Sequence, residues 1–191
     1  MEMASRGYRM TGVDLSEPLL EAAKAKSAAL NLATNWEHRD MRDLPWHGEF
    51  DGAVCFWSSF GYFDEQGNAD FLTAVSRALK PGARFVLDTP LVETRLPEIE
   101  AEPRVWWRIG DVYALEERRF DHANSRIESE WTFLQDGRTE TKSLSQRLYT
   151  YHELSGLLEQ AGFGNHAAFV DLDLEHFGLS SSWLYMVTCK L

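Results

Sequence analysis

Over its first ninety residues the chain alternates short apolar runs with helical stripes, and this alternation limits its fold more than any other feature of the sequence. Residues 8–13, Tyr-Arg-Met-Thr-Gly-Val, predict a short strand that ends at Asp14. Ser16 is placed to cap the helix that follows, and Pro18 falls in the first turn, where a missing N–H is tolerated. Leu20, Ala23, Ser27 and Leu30 share one face, so this helix spans residues 17–30. A weak strand at 35–39 leads into Asp40-Met41. The strand at 50–57 is stronger, with Val54, Cys55 and Phe56 adjacent, as in a sheet buried on both faces. Phe71, Leu72, Val75 and Leu79 form the stripe of a helix at 68–79, which Lys80-Pro81-Gly82 stops. Residues 84–88 return to strand. Strand, helix, strand, strand, helix, strand is the rhythm of a parallel α/β sheet.

The rhythm breaks at Arg104, and no helical stripe occurs from there to Tyr149. Ile127, Ser129, Trp131 and Phe133 alternate with Glu128, Glu130 and Thr132, the pattern of an antiparallel strand with one wet face. Asp136-Gly137 marks a hairpin turn, and segments 112–120 and 139–149 complete a meander. Residues 104–149 are therefore expected to form an inserted antiparallel β subdomain. Thr150 and Glu153 then make a capping box for a helix lined by Leu154, Leu157, Leu158 and Ala161 and ended by Gly162. Strands at 166–173 and 183–190 close the chain.

A length of 191 residues suits one α/β domain with a small insertion. The net charge of -11, with no basic run, argues against a broad nucleic-acid surface. Cys55 and Cys189 sit apart in apolar runs and read as buried thiols, and no zinc constellation occurs. Without a signal-peptide core or an apolar stretch near the ~20 residues of a membrane helix, a soluble, cytoplasmic protein is expected.

Chemistry is concentrated at strand ends. Asp14 ends one strand, Asp40-Met41 follows the next, and Phe56-Trp57-Ser58 ends the third. Ligands of open α/β sheets bind at the carboxyl ends of strands, where a carboxylate can accept both hydroxyls of a ribose. Asp14 alone suits a helix N-terminus equally well. The ordered set is more specific. Residues 7–16 (Gly-Tyr-Arg-Met-Thr-Gly-Val-Asp-Leu-Ser), 39–45 (Arg-Asp-Met-Arg-Asp-Leu-Pro), 50–55 (Phe-Asp-Gly-Ala-Val-Cys), 79–88 (Leu-Lys-Pro-Gly-Ala-Arg-Phe-Val-Leu-Asp) and 157–163 (Leu-Leu-Glu-Gln-Ala-Gly-Phe) together resemble class I S-adenosylmethionine-dependent methyltransferases. The resemblance implies a Rossmann-like methyltransferase sheet. It implies that Asp14 binds the ribose, that Leu15 packs on the adenine, and that Asp40 meets the adenine amino group with Met41 beside it. Phe56, Trp57 and Ser58 would lie near the methyl group, although ordinary core packing also accounts for Phe56 and Trp57.

The family's first strand and glycine-rich turn lie upstream of its second strand, with the acidic residue ≈ 20 residues after the glycines. Only thirteen residues precede Asp14, and residues 1–7 contain no Gly-x-Gly. The resemblance thus implies a chain truncated before the glycine-rich motif, as a fragment or as a degenerate relative, with weak or absent cofactor binding. Gly7 would end the helix that follows the turn. Removing that strand would leave a gap of about 10 Å in the sheet. The strands flanking it would then pair directly, stay apart, or accept another occupant.

Methyl transfer needs an in-line nucleophile held close, and a base matters more for a hydroxyl acceptor than for a neutral amine. Tyr62, His122 and His152 are candidates near the mouth. The insert at 104–149 would form a lid, with Trp106, Trp107 and Tyr113, beside Tyr62, lining a pocket for a small-molecule methyl acceptor. The same aromatics could instead form the insert's own core. Glu116, Glu128 and Glu130 could draw in a cationic amine or simply make a solvated face. Two other functions compete: a non-catalytic methyltransferase-like binding or regulatory protein, and a nicotinamide-dependent oxidoreductase. The Asp40-Met41 element and the closing strand pair argue against the second.

Overall fold

The computed structural model describes residues 1–178, 181 and 183–191. A short helix α1 (Glu2–Ser5) precedes β1 (Met10–Asp14) and α2 (Glu17–Ala29). Ser16 caps α2 by accepting the N–H of Leu19. β2 (Thr34–His38) pairs in parallel with β1, setting Asp14 opposite His38. β3 (Phe50–Cys55), α3 (Glu65–Ala78) and β4 (Leu79–Thr89) follow. α3 ends at Ala78, before Lys80-Pro81-Gly82, and these three residues lie within β4 rather than in a turn ahead of it, because Leu79 already pairs with Phe50.

α4 (Val92–Ala101) falls between the segments that the sequence reading assigns, although Val92, Leu96 and Ile99 stand at helical spacing. It holds Pro97 in its interior and has no side-chain cap, so the usual start and stop signals are missing. The insert is a four-stranded antiparallel sheet in the order β5-β6-β7-β8: β5 (Arg104–Ile109), β6 (Val112–Asp121), β7 (Arg126–Gln135) and β8 (Arg138–Arg147). Its Asp136-Gly137 turn has both residues at positive φ, at 50° and 73°. Thr150 and Glu153 form the capping box of α5 (Tyr151–Gln160). β9 (Phe163–Phe169) starts directly after Gly162, earlier than expected, and β10 (Leu184–Lys190) runs antiparallel between β9 and β4.

The main core lies between α3, α5 and the sheet β3-β4-β10-β9. Phe60, Phe85, Phe163, Leu72, Leu154 and Met186 are fully buried there. Each such side chain contributes about 1.5–3 kcal/mol on leaving water. A second cluster of Ile99, Ile127 and Leu148 seats α4 on the inserted sheet.

β1 and β3 do not share a sheet. Residues 10–13 and 52–54 face each other across a slot, since they line one cavity of about 410 Å³, and residues 10–11 and 52–54 line a second of about 900 Å³. Of the three arrangements considered for these strands, they stay apart. Among the described residues no helix is long and apolar enough to cross a membrane.

Candidate functional site

Asp14 emerges at the carboxyl end of β1 with an exposed side chain. Its Oδ1 accepts the N–H of Ser16 at 2.8 Å, and Oδ2 makes no hydrogen bond among the described residues. One carboxylate oxygen thus shapes the turn into α2 while the other remains open to a hydroxyl. Gly12, two residues earlier, lies against the indole of Trp36, and a Cβ there would stand 2.2 Å from the ring. Leu15 is 59% exposed, and its carbonyl is bonded by the ring of His38 at 2.9 Å.

Asp40 follows β2. Its Oδ1 accepts the backbone N–H of Arg42 at 2.9 Å, and the Arg42 guanidinium bonds both oxygens, Nη2 reaching Oδ2 at 2.6 Å. The Arg42 side-chain bonds hold the Asp40 carboxyl below its usual range. Two carboxylate oxygens offer about four acceptor sites, so an adenine amino group is still chemically compatible beside Arg42. Met41 turns inward. With Val13 and Phe56 it lines the 410 Å³ cavity, so the three successive strand ends meet at one apolar space.

Beyond β3 the chain makes a tight turn. Trp57 and Ser58 have φ of 64° and 56°. Left-handed backbone costs a residue with a Cβ about 1–2 kcal/mol, and here two occur in succession. Trp57 is 90% exposed, which excludes the core role open to it in the sequence. Phe56 packs edge-on against Tyr185 at 6.2 Å. Asp88, buried near the end of β4, accepts the N–H of Ser58 at 2.9 Å. Burial first, and the Asp88 charge second, push the neighbouring Cys55 thiol up to about 12.

The inserted sheet grips the segment after this turn. Gln146 of β8 donates to the carbonyls of Ser58 and Phe60 and to Ser58 Oγ. Arg126 of β7 donates to the carbonyl of Phe63 at 3.0 Å and to that of Tyr62 at 3.3 Å. The N–H of Arg147 donates to the carbonyl of Gly61 at 2.8 Å. Gly61 has φ of 98°, and a Cβ would stand 2.5 Å from the Arg147 carbonyl oxygen, so the close approach requires glycine. Tyr62 is 43% exposed, and partial burial raises its phenol pKa.

The aromatic residues of the insert are not one cluster. Successive side chains of a strand point to opposite faces. Trp106 lies with Tyr113, ring centroids 6.3 Å apart, whereas Trp107 stacks on Trp131 at 5.1 Å. Trp106 is 67% exposed and fills no core. Glu116 is buried, accepts from Ser129 Oγ at 2.6 Å and faces Arg118 at 3.6 Å, so it is not part of a solvated face. Glu128 and Glu130, one residue out of step, stand on the opposite face. His122 stacks edge-on against Phe120 in the β6–β7 turn, and His152 is exposed in the first turn of α5.

Sequence reasoning missed Asp88, Gln146 and Arg126. Asp88 had a usable signal, a carboxylate closing an apolar strand as Asp14 does. Gln146 and Arg126 had none, because their partners are 63–88 residues away. Among the described residues no group of His, Cys, Asp or Glu is arranged to hold a metal.

Successive strand ends that bring Val13, Met41 and Phe56 to one apolar cavity, with a four-stranded antiparallel sheet bonded to the segment after the third, match the fold of Rossmann-like methyltransferases. Residues 1–82 match the family model described as a methyltransferase domain. The demethylmenaquinone methyltransferase of Lactiplantibacillus plantarum is 30% identical over 157 residues, 81% of this chain and 59% of that protein. The chain therefore spans about three-fifths of that relative's length. A methyltransferase structure from Clostridium acetobutylicum superposes with a TM-score of 0.84 at 17% identity, covering 98% of this chain and 77% of that one. S-adenosylmethionine-bound CalS10 from Micromonospora echinaspora, an amino pentose methyltransferase, superposes with a TM-score of 0.63 at 17% identity, covering 99% and 89%. The chain resembles the class I S-adenosylmethionine-dependent methyltransferases and has their fold.

Proposed function

We propose that this chain serves methyl transfer from S-adenosylmethionine to a small organic acceptor, a neutral amine being the class it suits best. The observation that carries the reading is the convergence of Val13, Met41 and Phe56 on one apolar cavity, Val13 and Met41 being the chain neighbours of Asp14 and Asp40. In this reading Asp14 Oδ2 accepts the ribose hydroxyls, Leu15 covers one face of the adenine, and Asp40 accepts its amino group. Met41 and Phe56 exclude water from the cavity. The cofactor supplies a methyl group already activated on a sulfonium. The chain's own task is then to bind, orient and dry the site, and proximity can account for much of the rate.

Phe56, Trp57 and Ser58 line the mouth in this reading, and Tyr62 meets the acceptor. The sheet β5–β8, within residues 104–149, acts as the lid over the carboxyl ends of the strands in this reading. Trp107 is the insert aromatic with a stacked partner, Trp131, while the more exposed Trp106 and Tyr113 share the other face. An amine acceptor is favoured because an amine that arrives neutral needs no dedicated base. CalS10, an amino pentose methyltransferase, illustrates that acceptor class on the same fold.

The test is calorimetric titration with S-adenosylhomocysteine, using Asp14→Ala as the control. Hydrogen bonds to a charged group are worth about 1.5–3 kcal/mol, so Asp14→Ala should weaken binding by roughly 10- to 100-fold. This reading requires the parent chain to bind, against the weak or absent binding expected from the sequence, so absence of binding, or equal binding by parent and variant, would sink the assignment. Binding without turnover of any amine offered would leave the non-catalytic alternative in its place.

A further inference from the structure

We propose that Asp88 and Gln146 are positioning residues that together hold the Trp57–Ser58 turn, so that the seating of the inserted sheet sets the shape of the site's mouth. The functional part of this inference rests on the methyl-transfer reading above. The geometry of the turn does not depend on it.

Ser58 is held from two sides. Asp88 Oδ1 accepts its N–H at 2.9 Å from β4. Gln146 Nε2, on β8, reaches Ser58 O at 3.0 Å, Ser58 Oγ at 2.8 Å and Phe60 O at 2.7 Å. An amide nitrogen carries two hydrogens, so three acceptors share them, and the two carbonyls determine which end of the amide faces Ser58. Asp88 is 5% exposed and Gln146 6%, so water competes poorly for these bonds. The carboxylate makes its own bond a charge-assisted one.

Consecutive left-handed residues other than glycine persist only where their surroundings over-determine them. Packing of Trp57 does not do this, because its side chain lies 90% in solvent. Phe56 is fixed by Tyr185 before the turn, and Gly61 by β8 after it. What remains to fix the turn itself is the Ser59 hydroxyl, which donates to the Phe56 carbonyl across it at 2.8 Å, together with the hydrogen bonds on Ser58. Of those on Ser58, one comes from the main sheet and the others from the insert, on residues 30 and 88 positions away. If the insert shifted, Gln146 would leave with it, and two left-handed residues would relax toward ordinary backbone. The exposed indole and the Ser58 hydroxyl would move with them. A displacement of about 1 Å at a reacting centre can cost roughly 100-fold in rate, so a clamp at this point controls alignment without touching the methyl group.

The experiment measures amide hydrogen exchange of Ser58 by NMR in the parent chain and in Asp88→Ala, Asp88→Asn and Gln146→Leu. Ser58 protection should fall at least about tenfold in Asp88→Ala and in Gln146→Leu. It should stay within about threefold in Asp88→Asn, whose carbonyl oxygen still accepts. Exchange at Phe85 and Leu87 of β4 reports whether the fold persists. Should Asp88→Ala fail to fold, Gln146→Leu and Asp88→Asn decide. A second arm titrates S-adenosylhomocysteine, which should bind Gln146→Leu at least about fivefold more weakly than the parent and Asp88→Asn like the parent. Unchanged Ser58 protection in the folded variants overturns the clamp. Lost protection with unchanged affinity overturns its positioning role. A parent that binds no S-adenosylhomocysteine defeats the methyl-transfer reading, and the clamp then stands or falls on the Ser58 exchange alone.

Discussion

Replacing Arg118 by methionine should unseat the insert from α4. The Arg118 side chain is 1% exposed and that of Glu116 is 4% exposed. The guanidinium donates from Nε to the carbonyl of Glu102 at 3.0 Å, pairs with Glu98 at 3.3 Å and faces Glu116 at 3.6 Å. Methionine keeps most of the volume, so the lost quantity is charge rather than packing. Glu98 is 43% exposed and can recover its loss from water. Glu116 cannot, and keeps only the hydroxyl of Ser129 as a donor. Removing one partner of a buried pair costs about 3–5 kcal/mol. Because Glu98 escapes the penalty, we expect the lower part of that range, about 3 kcal/mol. For a chain of this size that is roughly 6–12 °C in Tm. Urea denaturation followed by far-UV circular dichroism measures it. The double variant Arg118→Met, Glu116→Gln removes the stranded charge and should regain at least about 1 kcal/mol. A loss below about 1 kcal/mol for the single variant, or a double variant no more stable than the single, would refute the argument.

Two further outcomes follow from local geometry. Gly12→Ala puts a Cβ 2.2 Å from Trp36, whose indole N–H donates to Ser27 Oγ at 3.1 Å, so the ring must leave that bond. Overpacking of this kind costs about 1–3 kcal/mol, and adding Trp36→Leu should relieve it; a Gly12→Ala melting curve that overlays the parent's would contradict the close approach. The Cys55 thiol, pushed up to about 12 by burial and Asp88, makes the fold alkali-sensitive. The folded chain keeps that proton where the unfolded chain has released it. The stabilisation is complete below pH 9 and is lost as pH rises toward 12, at about 1.4 kcal/mol per pH unit. Cys55→Ala should flatten this decline between pH 9 and 10, and an unaltered slope would count against it; burial also raises the Tyr149 phenol, so some decline persists above pH 10.

The elements that local chemistry specifies were legible in the chain. Ser16 and the Thr150–Glu153 box start their helices as read, because a cap needs only residues three apart. Asp136-Gly137 makes the expected turn because left-handed backbone is least costly there. α4 carries the stripe Val92, Leu96 and Ile99, but Pro97 inside it and Leu91 at its cap hide it, since a proline reads as a helix breaker and leucine is no cap. Trp106 and Trp107 were grouped by adjacency, although the strand's period of two places neighbours on opposite faces.

The order of the strands and helices apart from α4 and β5, the carboxylates at the ends of β1 and β2, and the resemblance to class I methyltransferases were determined by the sequence alone, since each element or motif rests on residues close together along the chain. The tertiary structure decided how those ends meet. It brought Val13, Met41 and Phe56 to one cavity, kept β1 and β3 apart across a slot, buried Glu116 against Arg118, and closed Asp88 and Gln146 on Ser58. These depend on contacts between segments tens of residues apart, whose geometry is fixed only when the sheets and the insert pack. Local propensity carries no record of such a contact, because the free energy that holds it belongs to both partners at once.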